Sequence, residues 1–186
     1  RFDIPKALSY DEIVVDSEVD IIYVATTHNY HFENAKLALN AGKPVLMEKP
    51  FTVNAAEAKE LVELARRKGL FLMEAIWVRF LPSLINLKRL LAEGAIGELK
   101  QAVVTFGNFA PPQFEARLKD INLAGGVTID MGIYPISVVS YLLGETPADI
   151  RSFAGFSSGG VDELADYLFR FPSGSMAQIS TSFTLK

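Results

Sequence analysis

The sequence predicts an α/β fold in two parts: a parallel sheet with covering helices, then an α+β region with a mainly antiparallel open sheet. Three observations carry that reading. Short apolar runs alternate with helical patterns through the first 75 residues. After Ala75 the alternation stops, and the last third carries three strand-like runs separated by tight Gly and Pro turns. The loops of the first part are short, as in crossover units of a parallel sheet.

Ser9 with Glu12 three residues on has the spacing of a capping box, so a short helix is expected from Asp11 to about Asp16. Val19-Asp20-Ile21-Ile22-Tyr23-Val24-Ala25 reads as a central parallel strand covered on both faces. After the polar break Thr26-Thr27-His28-Asn29, residues His31 to Asn40 place Phe32, Ala35 and Leu39 on one helical face, with Gly42 as the stop. Pro44 to Glu48 is the second strand. Asn54 and Glu57 again have capping spacing, and Ala55 to Lys68 is a helix turning Ala58, Leu61, Val62 and Ala65 inward. Leu70 to Glu74 is the third strand.

A boundary near Ala75 follows. Beyond it come a helix from Pro82 to Glu93 and a long strand from Gln101 to Phe109. A loop is expected from Pro111-Pro112 to Gly125-Gly126. A helix follows from about Val127 to Leu143, interrupted at Pro135. Asp149–Ser157, Leu164–Phe171 and Ser175–Thr184 complete an antiparallel meander.

Composition narrows the function classes. The chain has 186 residues, 49% apolar and 22% charged, which suits a soluble globular protein of one or two domains. A net charge of −4 without a basic block argues against a nucleic-acid partner. No uninterrupted apolar run approaches the ~18 residues of a membrane span, so no membrane partner is expected. There is no cysteine, which removes thiolate catalysis and cysteine-ligated zinc and fits a reducing, cytoplasmic setting. His28 and His31, three residues apart, are the only histidines; as a metal pair they lack an evident third ligand, and either one could instead cap the following helix.

Glu48-Lys49-Pro50 is the stretch that points to chemistry. It sits where the second strand meets solvent, and ligands of open α/β sheets bind at the carboxyl ends of the strands. A solvated turn is the plain alternative, since Lys and Glu are usually exposed. No Gly-x-Gly-x-x-Gly turn joins a strand to a helix anywhere in the chain, and Gly125-Gly126 does not fit that pattern. Either the fold binds no dinucleotide or the first strands lie outside this sequence. The start of the chain, where no apolar leader follows Arg1 to Lys6, and its end on a meander strand favour a chain short at both ends.

The run from Val19 to His31 followed by Ala41-Gly42-Lys43-Pro44-Val45-Leu46-Met47-Glu48-Lys49-Pro50 resembles the Gfo/Idh/MocA oxidoreductases. Phe71 to Pro82, with Ala124-Gly125-Gly126-Val127-Thr128-Ile129-Asp130-Met131-Gly132-Ile133-Tyr134-Pro135, is similar to the subgroup of dimeric dihydrodiol dehydrogenases and NADP-dependent D-xylose dehydrogenases. Members of the inositol type carry histidine where Tyr134 stands, which turns the reading away from inositol chemistry. The resemblance implies that residues 1–75 are the C-terminal part of an NAD(P)-binding Rossmann domain. It makes 76–186 an incomplete substrate-binding and dimerisation domain, so a homodimer through the C-terminal sheet is expected.

It also implies an NADP or NAD cofactor, a sugar or trans-dihydrodiol substrate, and roles for particular residues. Lys49, on a cis peptide bond to Pro50, would lie by the nicotinamide ribose and the substrate hydroxyl. Tyr134 would be the general acid/base. A free tyrosine titrates near ~10, so a cation beside it would be needed for work near neutrality. Tyr134 is also spaced as a core aromatic, seven residues before Tyr141. Asp130, four residues before Tyr134, shares its face in an intact helix; it either binds substrate and orients Tyr134 or is a helix-start carboxylate. Thr26, Thr27, His28, His31, Glu48, Lys49, Pro50, Trp77 and Arg79 would contact the cofactor. Trp77 and Phe106 would line the substrate pocket with Asp130 and Tyr134. Trp77 and Arg79 are equally open to a reading as interdomain packing, and Phe106 as sheet core. A non-catalytic sugar-binding relative is the alternative function; its mark would be loss of the lysine or the tyrosine, and both are present.

Overall fold

The computed structural model describes residue 4, residues 6–109 and residues 112–185. The chain forms two compact units, Arg1–Ala75 and Ile76–Lys186.

In the first unit, helix α1 (Tyr10–Val15) starts at a complete capping box: the Ser9 hydroxyl accepts from the Glu12 N–H, and Glu12 accepts from the Ser9 N–H at 2.7 Å. Strand β1 (Ile22–Val24), helix α2 (His31–Asn40), strand β2 (Val45–Met47), helix α3 (Ala55–Lys68) and strand β3 (Leu72–Glu74) follow. The sheet is parallel throughout, in the order β1-β2-β3. Among these three strands β2 lies in the middle, paired on both sides. Val24 faces the core while Tyr23 is exposed on the other face. Helix α3 ends at Gly69, whose φ of +64° is the left-handed conformation that a helix C-terminus favours. Its buried residues are Leu61, Leu64 and Ala65; Leu64 joins the core that the pattern assigned to Ala58 and Val62, which are half-buried. Ala35, Leu39, Val45, Met47 and Leu61 make a fully buried centre between the helices and β2.

In the second unit, a 3₁₀ turn (Trp77–Phe80) leads into helix α4 (Pro82–Ala92), with Pro82 in the first turn, where a missing N–H costs nothing. Strand β4 (Gln101–Gly107) follows. The stretch expected as a loop contains helix α5 (Pro112–Leu118) and a 3₁₀ turn (Ile121–Leu123); Pro111 lies outside the described residues. Arg117 and Leu118 thus enter the unit on a helix. A π turn (Thr128–Gly132) runs directly into helix α6 (Ile133–Leu143), closed by Gly144. The irregularity precedes Pro135 instead of falling on it. Pro135 is the third residue of α6, and the π turn before it takes up the altered winding.

Strands β5 (Asp149–Phe156), β6 (Asp162–Arg170) and β7 (Met176–Ser182) form the meander, and β4 adds to β7 in parallel, giving the order β4-β7-β6-β5. One face packs on α6 and the π turn through Tyr167, Phe169, Ala177, Ile179, Val127, Met131 and Val139. The helical stretch Ile121–Leu143 is long and apolar enough for a membrane span by length and composition alone, which the interrupted sequence run concealed. Its Val127, Met131 and Val139 are spent on this core. The opposite face of the sheet is open and carries Val103, Phe153, Leu164, Leu168 and Met176, all exposed.

Replacing Leu61, fully buried, with alanine is expected to cost about 2–5 kcal/mol of unfolding free energy. Asn54→Ala, which removes the acceptor for the Glu57 N–H, is expected to cost about 1 kcal/mol. Urea unfolding followed by circular dichroism checks both.

Candidate active site

Because the three strands of the first unit are parallel, Val24, Met47 and Glu74 all end at one edge. The residues that follow, Thr26-Thr27-His28 and Glu48-Lys49-Pro50, come to that edge together. The Glu48 N–H donates to Val24 O at 2.9 Å, so the turn begins on the last backbone bond of the sheet. Glu48 then uses both carboxylate oxygens: Oε1 accepts the Tyr23 hydroxyl, and Oε2 accepts the Lys49 N–H at 3.1 Å. Lys49–Pro50 is a cis peptide bond. Lys49 is half-buried and Pro50 buried. On the far side of the turn, the Phe51 N–H donates to Glu74 Oε1 at 2.7 Å. The lysine thus stands on a turn held at both ends by carboxylates of neighbouring strands.

His31 supplies the third tie. Its ring is 0% exposed, with Nδ1 2.7 Å from Pro50 O and Nε2 3.2 Å from Thr26 O. The buried ring of His31, a residue expected at the cofactor, joins the two turns through their backbones. His28 packs edge-on against it, ring centroids 5.7 Å apart, and is 5% exposed. Thr26 and Thr27 serve their own turn, Thr26 Oγ1 accepting from Asn34 Nδ2 and the Thr27 hydroxyl donating to Asn29 Oδ1.

In the second unit the predicted residues divide in two. Tyr134, in the first turn of α6, sits between two rings: Trp77 at 5.7 Å and Phe106 at 5.6 Å between centroids, both edge-on. The Trp77 indole N–H donates to the Tyr134 oxygen at 3.3 Å. Phe106 shares the helix-facing side of β4 with Ala102 and Val104, as strand alternation requires, but lies near the carboxyl end of the strand and is 41% exposed. An aromatic triangle, open to solvent along Trp77 and Phe106, therefore frames a phenol oxygen with one donor aimed at it.

Asp130 lies in the π turn, four residues before Tyr134. Its carboxylate pairs with Arg117, Oδ1 to Nη2 at 3.5 Å. Arg79, expected at the cofactor, turns onto α6: its Nε donates to Ser137 Oγ at 2.7 Å, and its guanidinium lies 5.9 Å from the Tyr141 ring centroid. Trp77–Tyr134 and Arg79–Ser137 are two rungs that clip the 3₁₀ turn to one helix. Sequence reading missed Arg117, Ser137, Tyr23 and Glu74, each of which acts through a partner distant in the chain. Only Tyr23 carried a signal, a polar-tipped aromatic in an otherwise aliphatic run. Among the described residues no group of three or more His, Asp or Glu side chains is placed to hold a metal ion.

The strand-end edge suits the nicotinamide half of a dinucleotide, with a lysine and hydroxyl-bearing residues around a sheet mouth. The residues that would cradle the phosphates are not among these. Gly42 and Gly69 follow α2 and α3 at the amino end of the strands, with open space around them, and neither begins a helix.

Fold and site together join a parallel dinucleotide-type sheet to an α+β unit carrying a framed tyrosine. Residues 1–76 match the oxidoreductase family model with an NAD-binding Rossmann fold, and residues 84–186 match the GFO/IDH/MocA C-terminal domain. The chain belongs to the Gfo/Idh/MocA oxidoreductase family. It is 40% identical to mouse trans-1,2-dihydrobenzene-1,2-diol dehydrogenase over 99% of its own length and 55% of that protein's. It is also 40% identical to the D-xylose 1-dehydrogenase (NADP(+)) of Hypocrea jecorina, over 97% of its length and 50% of that protein's. The chain thus spans about half the length of the curated relatives it matches. Among solved structures, the aldose-aldose oxidoreductase of Caulobacter crescentus complexed with glycerol superposes with a TM-score of 0.88 at 28% identity, over 95% of this chain and 54% of that one.

The Glu48 carboxylate, by accepting its hydrogen, pushes the Tyr23 phenol up to about 12, with burial and the carboxylate charge adding to the shift. A raised value means the bond stabilises the first unit below pH ~10, where free tyrosine is still protonated, and is lost as pH climbs through the folded value. Ultraviolet titration, taken as a difference against Tyr23→Phe, should show Tyr23 ionising near 12 and Glu48→Gln returning it toward ~10.

Proposed function

We propose that the protein is an NAD(P)-dependent dehydrogenase acting on a CH–OH group of a sugar or a trans-dihydrodiol. The observation that carries the reading is Tyr134, a phenol framed by Trp77 and Phe106 with the indole N–H on its oxygen. It stands in a chain whose relatives at 40% identity are named dehydrogenases of those two substrate classes.

The cofactor, NADP or NAD, belongs at the strand-end edge, against Thr26, Thr27, His28, Glu48, Lys49 and Pro50. When bound, it supplies the hydride acceptor. The protein's part is orientation and proton movement. The Tyr134 oxygen exchanges the proton of the substrate hydroxyl as the carbon loses its hydride. The Trp77 N–H donates to that oxygen and supports its anionic form, the form that takes the proton. Lys49 is the cation that the family resemblance assigns to the same step. Asp130, held by Arg117, presents a carboxylate acceptor for further hydroxyls of a polyol, and Trp77 and Phe106 give a flat apolar wall suited to a sugar ring or a diol-bearing ring. His31 and Arg79 act behind the contacts, on the two turns and on α6.

The open sheet face supports a homodimer: it carries exposed Val103, Leu164, Leu168 and Met176, and Phe153 on the edge strand β5 is 84% exposed. The absence of cysteine suits a cytoplasmic setting.

In the full-length protein, Lys49→Ala and Tyr134→Phe are each expected to lower kcat by about 10²–10⁴-fold with the far-ultraviolet circular dichroism unchanged. Steady-state reduction of NADP or NAD with D-xylose and with a trans-dihydrodiol is the measurement; near-normal turnover in both variants removes the assignment. Phe153→Asp is expected to convert a dimer to a monomer in sedimentation velocity.

A further inference from the structure

In the pair Gly125-Gly126, Gly126 faces the carboxylate of Asp162, the first residue of β6. Gly126 has φ +121°, and a Cβ there would lie 2.2 Å from Asp162 Oδ1. At Gly125 a Cβ would meet Leu118 O at 2.3 Å. Gly126 is therefore what lets the carboxylate approach the backbone, and Gly125 is what lets the chain pass close to Leu118. The Thr128 N–H donates to Asp162 Oδ2 at 2.8 Å, and the Thr128 hydroxyl donates to the same oxygen. That hydroxyl has one proton, so the contact between it and the Tyr167 hydroxyl has Tyr167 as donor. Tyr167 is 8% exposed in the core of the second unit.

These bonds gather at the first residue of the π turn. Thr128 is followed two residues on by Asp130 and, in α6, by Tyr134. A helix start has N–H groups without intrahelical partners and favours negative charge, and this one receives both an acceptor and a charge from a strand of the sheet. The Trp77–Tyr134 and Arg79–Ser137 rungs fix the next two turns of the same helix from the opposite direction. We propose that Asp162 is a positioning residue for the reaction: seated against Gly126, it fixes where the helix begins and so holds the Tyr134 oxygen against the Trp77 N–H. The inference rests on the reading of Tyr134 as the proton-exchanging group.

The test uses the full-length protein with Asp162→Ala, Asp162→Asn and Thr128→Val, and two readouts. One is kcat and KM with the best NADP- or NAD-linked substrate. The other is the near-ultraviolet signal of Trp77, taken as a difference against Trp77→Phe, which reports the indole–phenol contact without needing turnover. Positioning predicts that Asp162→Ala lowers kcat about 10–100-fold with cofactor KM unchanged and diminishes the Trp77 signal. Asp162→Asn keeps an acceptor for the Thr128 N–H and should recover most of both. Thr128→Val loses the hydroxyl links and keeps the N–H bond, so it should fall between. If Asp162→Ala does not fold, Thr128→Val decides. The proposal is overturned if folded variants keep kcat within about twofold and the Trp77 signal of the parent. A parent protein with no dehydrogenase activity would remove the functional reading instead, and the Trp77 signal would still decide whether Asp162 sets the phenol.

Discussion

Parallel pairing of three short strands is the constraint on which the first unit depends. It sends every strand's carboxyl end to the same edge, so strand-end residues such as Val24, Met47 and Glu74, far apart in sequence, arrive as neighbours. Backbone groups at that edge have no further strand residues to pair with, and side chains take over. Glu48 accepts from Tyr23 and the Lys49 N–H, Glu74 accepts from the Phe51 N–H, and His31 faces two carbonyls. The turn that carries Lys49 is thus satisfied from three directions. The precision of the lysine comes from the groups around it, since a lysine stem alone has several rotatable bonds.

The second unit reaches comparable order by a different route. Its sheet gives one face to the core and leaves the other open, and the helix on the covered face is seated from both ends of its first two turns. Tyr134 is held by ring edges, an indole donor and the backbone of a helix start that a strand carboxylate caps. None of these contacts is strong by itself. Edge-on aromatic pairs contribute about 0.5–1.5 kcal/mol each, and a neutral hydrogen bond about 1 kcal/mol. Their convergence on one phenol is what restricts it.

The sequence made legible whatever depends on local period or local chemistry. The helix Ala55–Lys68 was readable to the residue because Asn54 and Gly69 mark both ends. The meander was readable from its turns, and the switch of architecture after Ala75 from the change in pattern. What it concealed depends on residues far apart in the chain. Burial of His31 follows from the placement of Pro50 and Thr26, which no spacing records. The helix at Pro112–Leu118 was hidden behind a proline pair that reads as a loop opening. The π turn that carries Asp130 was hidden because a π turn has no compositional mark. Arg79 had a plausible functional look beside Trp77, and only the position of Ser137 shows that it turns inward to α6.

The π turn at Thr128–Gly132 separates two jobs that one helix would otherwise bind together. A π turn holds one residue more than the α-helix it interrupts, and each α-helical residue adds about 100° of rotation and 1.5 Å of rise. Gain or loss of a single residue there swings the side chains on one side of the turn about the axis while those beyond it keep their register. In this chain the far side packs Val139 into the core and frames Tyr134, and the near side carries Asp130. The local winding therefore sets the phase of Asp130 relative to Tyr134 while the sheet and its core stay where they are.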